Sequence, residues 1–293
     1  MKIIETKNLT KYYGKARGII DLNLDVAQSE IFGFIGPNGA GKSTTIRTLL
    51  GLISPTSGNA SIFGKDILKD KTEILSNIGY MPSEAMFYNN MRVHEVIRLS
   101  ADLHKKDCRK NAAQLCKRFD LDTKKKVNEL SLGNRKKVSI VCAFQHQPDL
   151  YILDEPTSGL DPLMQKAFFE LIHERQQQGG TVFLSSHVLS EIQRHCQRAA
   201  IIREGRLIAC DLVENLSNTK ARQVVLHGVN TVPALSDLKN IETSTNSVSF
   251  LFQGNMKDLI SEIDKLPITD MTITEPELEE IFMHFYEGEV TSK

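Results

Sequence analysis

The chain has 293 residues, 41% hydrophobic and 25% charged, a composition that suits a soluble globular protein of one large domain or two. Lysine plus arginine and aspartate plus glutamate each number 36, so no global field argues for nucleic acid. No apolar run approaches the roughly 20 residues needed to span a bilayer. The five cysteines (Cys108, Cys116, Cys142, Cys196, Cys210) have neither CxxC nor zinc-like spacing, which suggests a reducing compartment without a disulfide framework.

The opening stretch MKIIETKNLTKYYG lacks the apolar core of a signal peptide. EIFGFIG (30–36) is an apolar run ended by glycine, the pattern of a strand covered on both faces. GPNGAGKST (36–44) follows and leads into the helical stretch KSTTIRTLLGL. It fits G-x-x-x-x-G-K-[ST] in the strand-to-helix context that motif requires. Gly36, Gly39 and Gly41, with Pro37, Asn38 and Ala40 between them, let successive N–H groups curl around a polyphosphate near a helix N-terminus. Lys42 is expected to reach the β- and γ-phosphates, Ser43 to place its hydroxyl on Mg²⁺, and Thr44 completes the motif.

From about Glu84 to Lys137 no strong strand pattern occurs, which predicts a mostly helical insertion. Its stretch Lys105–Lys126 is basic and reads as a solvated helical face rather than a polyanion site. NELSLGNRKKVSI (128–140) is an unusual helix start, because Arg135, Lys136 and Lys137 oppose the helix dipole. These cations fit an anion arriving from outside, and their length also lets them point into water. DLYILDEP (149–156) is a further buried strand, with Asp154 at its end suited to hold Mg²⁺ through water. Glu155 is placed to polarise an attacking water, which a small-molecule kinase needs less because its nucleophile is the acceptor. After the helical PLMQKAFFELIHERQQQ, the strand GTVFLSSH (180–187) ends at His187, able to hydrogen-bond the γ-phosphate or the water.

Alternating strands and helices predict an α/β domain with a mainly parallel sheet over 1–216. Residues 217–293 read as a small α/β accessory domain: RQVVLHG and SVSFLFQG alternate, while MKDLISEIDKL and PELEEIFMHFY have helical spacing. Leu278, Ile281, Phe282 and Phe285 form one apolar stripe, read as core packing.

Over about the first 215 residues these motifs, in this order, resemble the ATP-binding subunit of an ABC (ATP-binding cassette) transporter. The resemblance implies a P-loop NTPase cassette, with ATP and Mg²⁺ as ligands. LSLGN (130–134) is then the counterpart of the family signature near LSGGQ, SGLD (158–161) resembles the D-loop, and His187 the switch histidine. Tyr13 in LTKYYG takes the place of the aromatic that stacks on adenine, with Tyr12 its neighbour. In the family, Ser131 and the backbone after it, including Gly133, face the γ-phosphate on another subunit's P-loop, so two cassettes pair head to tail around two ATPs.

Two departures stand out. Leu132 and Asn134 replace the usual signature glycine and glutamine, while in IGYMPSEAMFY (78–88) Ser83 and then Glu84 stand where the family commonly has glutamine. That glutamine touches Mg²⁺ and relays nucleotide state, a task Ser83 is too short to perform in the same way. The C-terminal extension resembles the branch that exports drugs, antibiotics or ions. The implied partners are a separate polytopic membrane permease and a second copy of the chain or a similar cassette. No nucleic acid is expected, and the location implied is the cytoplasmic face of the cell membrane, through the permease. A soluble ABC ATPase of translation or nucleic-acid metabolism is the alternative. Such members carry two cassettes or a long coiled coil between the motifs, and this chain has neither. Intact Lys42, Asp154, Glu155 and His187 argue against a sensor without catalysis.

Overall fold

The computed structural model describes residues 1–217, 222–235, 238–252 and 254–274 and divides into two compact units, 1–211 and 212–293. The first unit opens on a long strand, β1 (Lys2–Tyr13), followed by β2 (Ala16–Leu22) and β3 (Asp25–Ala27), both antiparallel to it. Next come β4 (Ile31–Ile35), α1 (Lys42–Leu49), β5 (Ser57–Ile62), β6 (Lys65–Asp66), α2 (Lys71–Ser76) and β7 (Ile78–Met81). The insertion supplies α3 (Val93–Leu103), α4 (Arg109–Arg118) and α5 (Leu132–Phe144). The unit then returns to alternation with β8 (Leu150–Asp154), α6 (Pro162–Gln177), β9 (Thr181–Ser186), α7 (Leu189–His195), β10 (Arg198–Arg203) and β11 (Arg206–Leu212).

Two sheets result. A six-stranded sheet runs β11-β10-β4-β9-β8-β7, with every pair from β10 to β7 parallel. All residues of β4, β8 and β9 are buried, as apolar strands covered on both faces must be. A five-stranded sheet runs β2-β1-β5-β6, with β3 also on β1. Ile4, Leu9 and Ile62 of this sheet share one core with Phe32, Phe34, Ile152 and Phe183 of the other and with Ile46 and Leu49 of α1. Phe183 anchors it, its ring 5.9 Å from that of Phe32 and 5.3 Å from that of Phe34.

In the insertion, α3 packs on α5 and α5 on β7, so α5 ties the helices to the sheet edge. This helix starts where Ser131 caps it, the Ser131 hydroxyl accepting from the Asn134 N–H at 3.4 Å, and it continues well past Lys137. Asp161 caps α6 in the same way at 3.0 Å, with Pro162 in its first turn.

The second unit contains α8 (Val213–Ser217), β12 (Arg222–His227), β13 (Leu238–Thr243), β14 (Ser247–Phe252), α9 (Met256–Ile263) and β15 (Asp270–Thr274). Its antiparallel sheet runs β13-β14-β12-β15. Val224, Leu226, Val248, Phe250 and Phe252 meet Leu259 and Ile263 of α9 in a separate core. The predicted stripe of Leu278, Ile281, Phe282 and Phe285 lies outside the described residues.

Candidate active site

The parallel sheet brings four chain segments to one edge. Ile35 pairs with Ser186, Asp154 with Ser185, and Met81 with Leu153, so the segments after β4, β7, β8 and β9 leave the sheet side by side. In such sheets ligands bind at the carboxyl ends of the strands. The loop after β4 runs from Gly36 into α1, with Gly39 and Gly41 at positive φ (80° and 112°). A side chain at Gly36 would place its Cβ 2.5 Å from the Ile202 carbonyl oxygen, which explains glycine there. Two bonds brace the loop from behind. The Gly205 N–H donates to the Ala40 carbonyl at 2.9 Å, and the Gly205 carbonyl accepts from the Ile20 N–H at 2.7 Å. In front of it lies a cleft of about 280 Å³, lined by Pro37, Asn38, Gly39, Gly41, Lys42, Ser43, Thr44, Arg17, Gly18, Ser83 and Glu155.

Lys42, Glu155 and His187 meet beside this cleft, and Arg17 adds a second cation to its lining. The Lys42 ammonium donates to the Gly36 carbonyl at 2.6 Å and lies 3.1 Å from Glu155 Oε1, with Lys42 6% and Glu155 16% exposed. His187 Nδ1 is 2.6 Å from Glu155 Oε2. Glu155 therefore sits between a fixed cation and an imidazole. It adopts φ 48°, unusual for a residue with a side chain, and its N–H donates to the Ser185 carbonyl at 3.1 Å. Such strained backbone concentrates at functional sites. At this turn the two adjacent carboxylates part: Glu155 meets Lys42 and His187, whereas Asp154 meets Ser185. Asp154 is buried and its Oδ1 accepts from the Ser185 hydroxyl at 2.6 Å. Burial, together with the negative charge of Asp154, raises the pKa of the Tyr80 phenol. Behind His187, burial pushes the Glu191 carboxyl up, opposed by the hydroxyls of Thr157 and Ser186.

Ser43 and Asp154 offer a hydroxyl and a carboxylate. Among the described residues, no group of three or more His, Cys, Asp or Glu side chains could hold a metal. A sparse set of hard oxygens suits Mg²⁺, which keeps waters and takes phosphate oxygens.

The remaining expected residues lie apart from the cleft lining. Ser131 and Gly133 are in the cap and first turn of α5 and are not among the residues lining it. A Cβ on Gly133 would come 2.7 Å from the Gly159 carbonyl, so the signature glycine is demanded by the SGLD loop of the same chain. Tyr13 is half exposed at the end of β1, with the Lys11 ammonium 5.5 Å from its ring centre. Gly18, which the sequence reading passed over, fills the gap between them: a Cβ there would lie 3.1 Å from the Tyr13 ring and 3.0 Å from Thr44. No local motif marks it.

One reading of the sequence is corrected. Of the three cations after the signature, Lys136 points neither to water nor to an outside anion; it is 2% exposed and donates to the Ser83 carbonyl at 2.7 Å. Burial pushes its ammonium pKa down, while the carboxylates of Asp154, Glu155 and Glu84 push it up.

Comparison with known proteins gives the family. Residues 19–158 match the family model described as ABC transporter. The bacitracin transport ATP-binding protein BcrA of Bacillus licheniformis is 36% identical over 301 residues, covering 98% of each chain. The chain belongs to the ATP-binding proteins of ABC transporters. The linearmycin resistance ATP-binding protein LnrL of Bacillus subtilis is 32% identical, covering 78% of this chain and 76% of its own. A solved structure described as the ATP-binding subunit of an ABC transporter superposes with a TM-score of 0.70 at 32% identity, over 73% of this chain and 91% of that one. This ABC protein binds ATP and is an ATP hydrolase that energises transport. ATP-binding subunits of its family act with membrane permeases. Among the described residues no helix is long and apolar enough to cross a membrane. The soluble reading in translation or nucleic-acid metabolism is not favoured by these relatives.

Proposed function

We propose that this cassette powers an exporter for cargo of the antibiotic class, as the names of the bacitracin and linearmycin relatives suggest. The observation that carries the catalytic assignment is the meeting of Lys42, Glu155 and His187 at the sheet edge. Lys42 and the loop N–H groups grip the phosphates, with Tyr13 against the adenine. Ser43 and Asp154 hold Mg²⁺, which neutralises phosphate charge when bound. Glu155 accepts a proton from the attacking water as general base, and His187 fixes the orientation of that carboxylate and of the γ-phosphate. Ser131 and Gly133 complete the site of a second copy or a similar cassette, which fits their place outside the cleft of their own chain. The cassette is taken as the first unit, which ends at Asp211, a few residues before the 216 expected from the sequence, and the remainder is the accessory domain.

The insertion carries the surface for a separate polytopic permease, which holds the cassette at the cytoplasmic face of the membrane. A groove of about 470 Å³ lined by Met86, Tyr88, Leu99 and Leu103 supports this, with Leu103 76% exposed. Large apolar side chains at the rim of a groove mark protein contact. The test is gentle purification of the tagged chain from its own membranes. A polytopic membrane protein is expected to accompany it and to be lost on Leu103→Asp. Ribosomal proteins or nucleic acid, with no membrane protein in several mild detergents, would overturn the reading.

A further inference from the structure

Lys42 and Lys136 are the buried lysines among the described residues, and only Lys42 is explained by the phosphate loop. Removing an ammonium from water costs several kcal/mol unless the protein supplies partners. Lys136 receives one at 2.7 Å, the carbonyl of Ser83. Ser83 lines the phosphate cleft with Lys42 and Glu155. Lys136 itself is mounted on α5 five residues after Ser131, the cap of that helix. A rigid helix thus has one end facing outward at Ser131 and, little more than a turn later, a side chain fastened to the cleft wall.

We propose that Lys136 is a positioning residue that pins the Ser83 wall of the phosphate cleft to α5, so that what engages the Ser131 end of the helix is felt at the cleft. This rests on the pairing proposed above. The link runs through a main-chain carbonyl, so it does not depend on which side chain occupies position 83.

The test compares the full chain with Lys136→Met, Lys136→Gln and Lys136→Arg. Met fills the same buried volume without a donor, Gln is too short to reach, and Arg still donates. Amide exchange of residues 83–86 is followed with and without ATP, beside steady-state hydrolysis. In the Met chain, exchange at 83–86 is expected to quicken by about ten-fold or more, as loss of a charge-assisted bond implies. Turnover falls about ten-fold while KM for ATP stays within about three-fold, because Lys42 and its loop are untouched. Pairing then slows exchange at the first turn of α5 without slowing 83–86, and Arg restores the wild-type pattern. The Gln chain reports the same loss and replaces Met if that chain does not fold. Wild-type exchange at 83–86 in either folded variant would overturn the proposal, as would an equal loss in the Arg chain. Should the wild type fail to pair, the pairing reading falls, while exchange at 83–86 in the unpaired chains still decides whether Lys136 holds this wall.

Discussion

Glu155→Gln is the sharpest perturbation of the site, because it removes a charge and almost no volume. The Glu155 N–H still donates to Ser185 at 3.1 Å, and the φ of 48° is no harder for glutamine than for glutamate. What changes is the partner of Lys42, now facing an amide at the position 3.1 Å away, and the carboxylate 2.6 Å from His187. Lys42 keeps its bond of 2.6 Å to the Gly36 carbonyl, so the lost pairing is expected to cost about 1–3 kcal/mol rather than the larger sum for a stranded buried charge. For a unit of this size that lowers the melting temperature by roughly 2–12 °C, and ATP should restore much of it by giving the ammonium a phosphate. Hydrolysis responds differently. Without a base the turnover is expected to fall about 10²-fold or more, a barrier increase of about 2.7 kcal/mol. ATP should still bind, so paired, ATP-loaded chains accumulate. Phosphate release, thermal melting and gel filtration on the same purified chains read all three quantities. Turnover within about ten-fold of wild type, in a chain that binds ATP normally, would refute the assignment of Glu155 as base.

Lys42→Ala removes the ammonium from the cleft and is expected to weaken ATP binding by about 10–100-fold in calorimetric titration; unchanged affinity contradicts the phosphate-loop assignment. Ser131→Arg deletes the α5 cap, at about 1 kcal/mol, and puts bulk where a partner's phosphate would approach. Each chain should then bind ATP yet elute as a monomer, and an undisturbed ATP-dependent dimer would refute the composite site. His146 gives a pH signature: burial first, then His104 stacked on it at 3.7 Å, pushes its pKa down to about 4 from the ordinary 6.5. The unfolded chain therefore takes up this proton first, so stability is full above about pH 6.5 and declines as the pH falls towards 4. Between about pH 7.5 and about pH 5 the wild type should lose roughly 2 kcal/mol more than His146→Gln in paired denaturant titrations, and parallel losses would remove His146 from the acid response.

The elements legible in the sequence were those whose environment is uniform along their length. β4, β8 and β9 are buried on both faces, so an unbroken apolar run announces each. The carboxylates and histidine that follow such runs inherit their position from the strand, which is why Asp154, Glu155 and His187 could be named without coordinates. β1 is not legible in the sequence because its alternation breaks. Its pairing with β5 shifts register between Lys7 and Thr10, and Asn8 sits at a φ of 48°. Two buried stretches, Ile3–Ile4 and Leu9–Thr10, thus fall out of phase with any single period. Lys136 is illegible for a different reason: a lysine three residues past a glycine looks solvated unless the carbonyl that receives it, 53 positions earlier, is known. Gly18 is likewise a matter of distant neighbours, since only the fold brings Tyr13 and Thr44 to either side of it.

The brace behind the phosphate loop sets an order of events during synthesis. Ala40 accepts its bond from Gly205, which in turn accepts from Ile20, so a motif complete at Thr44 is held by a turn about 160 residues further on. At ordinary elongation rates of 5–20 residues per second, roughly 8–30 s pass between the two. A nascent chain arrested anywhere in that interval carries the whole nucleotide-binding signature in its covalent structure and lacks the support that shapes it. The Ala40 carbonyl thus gains the partner that holds it in the folded cassette only once the turn at Gly205 has been made.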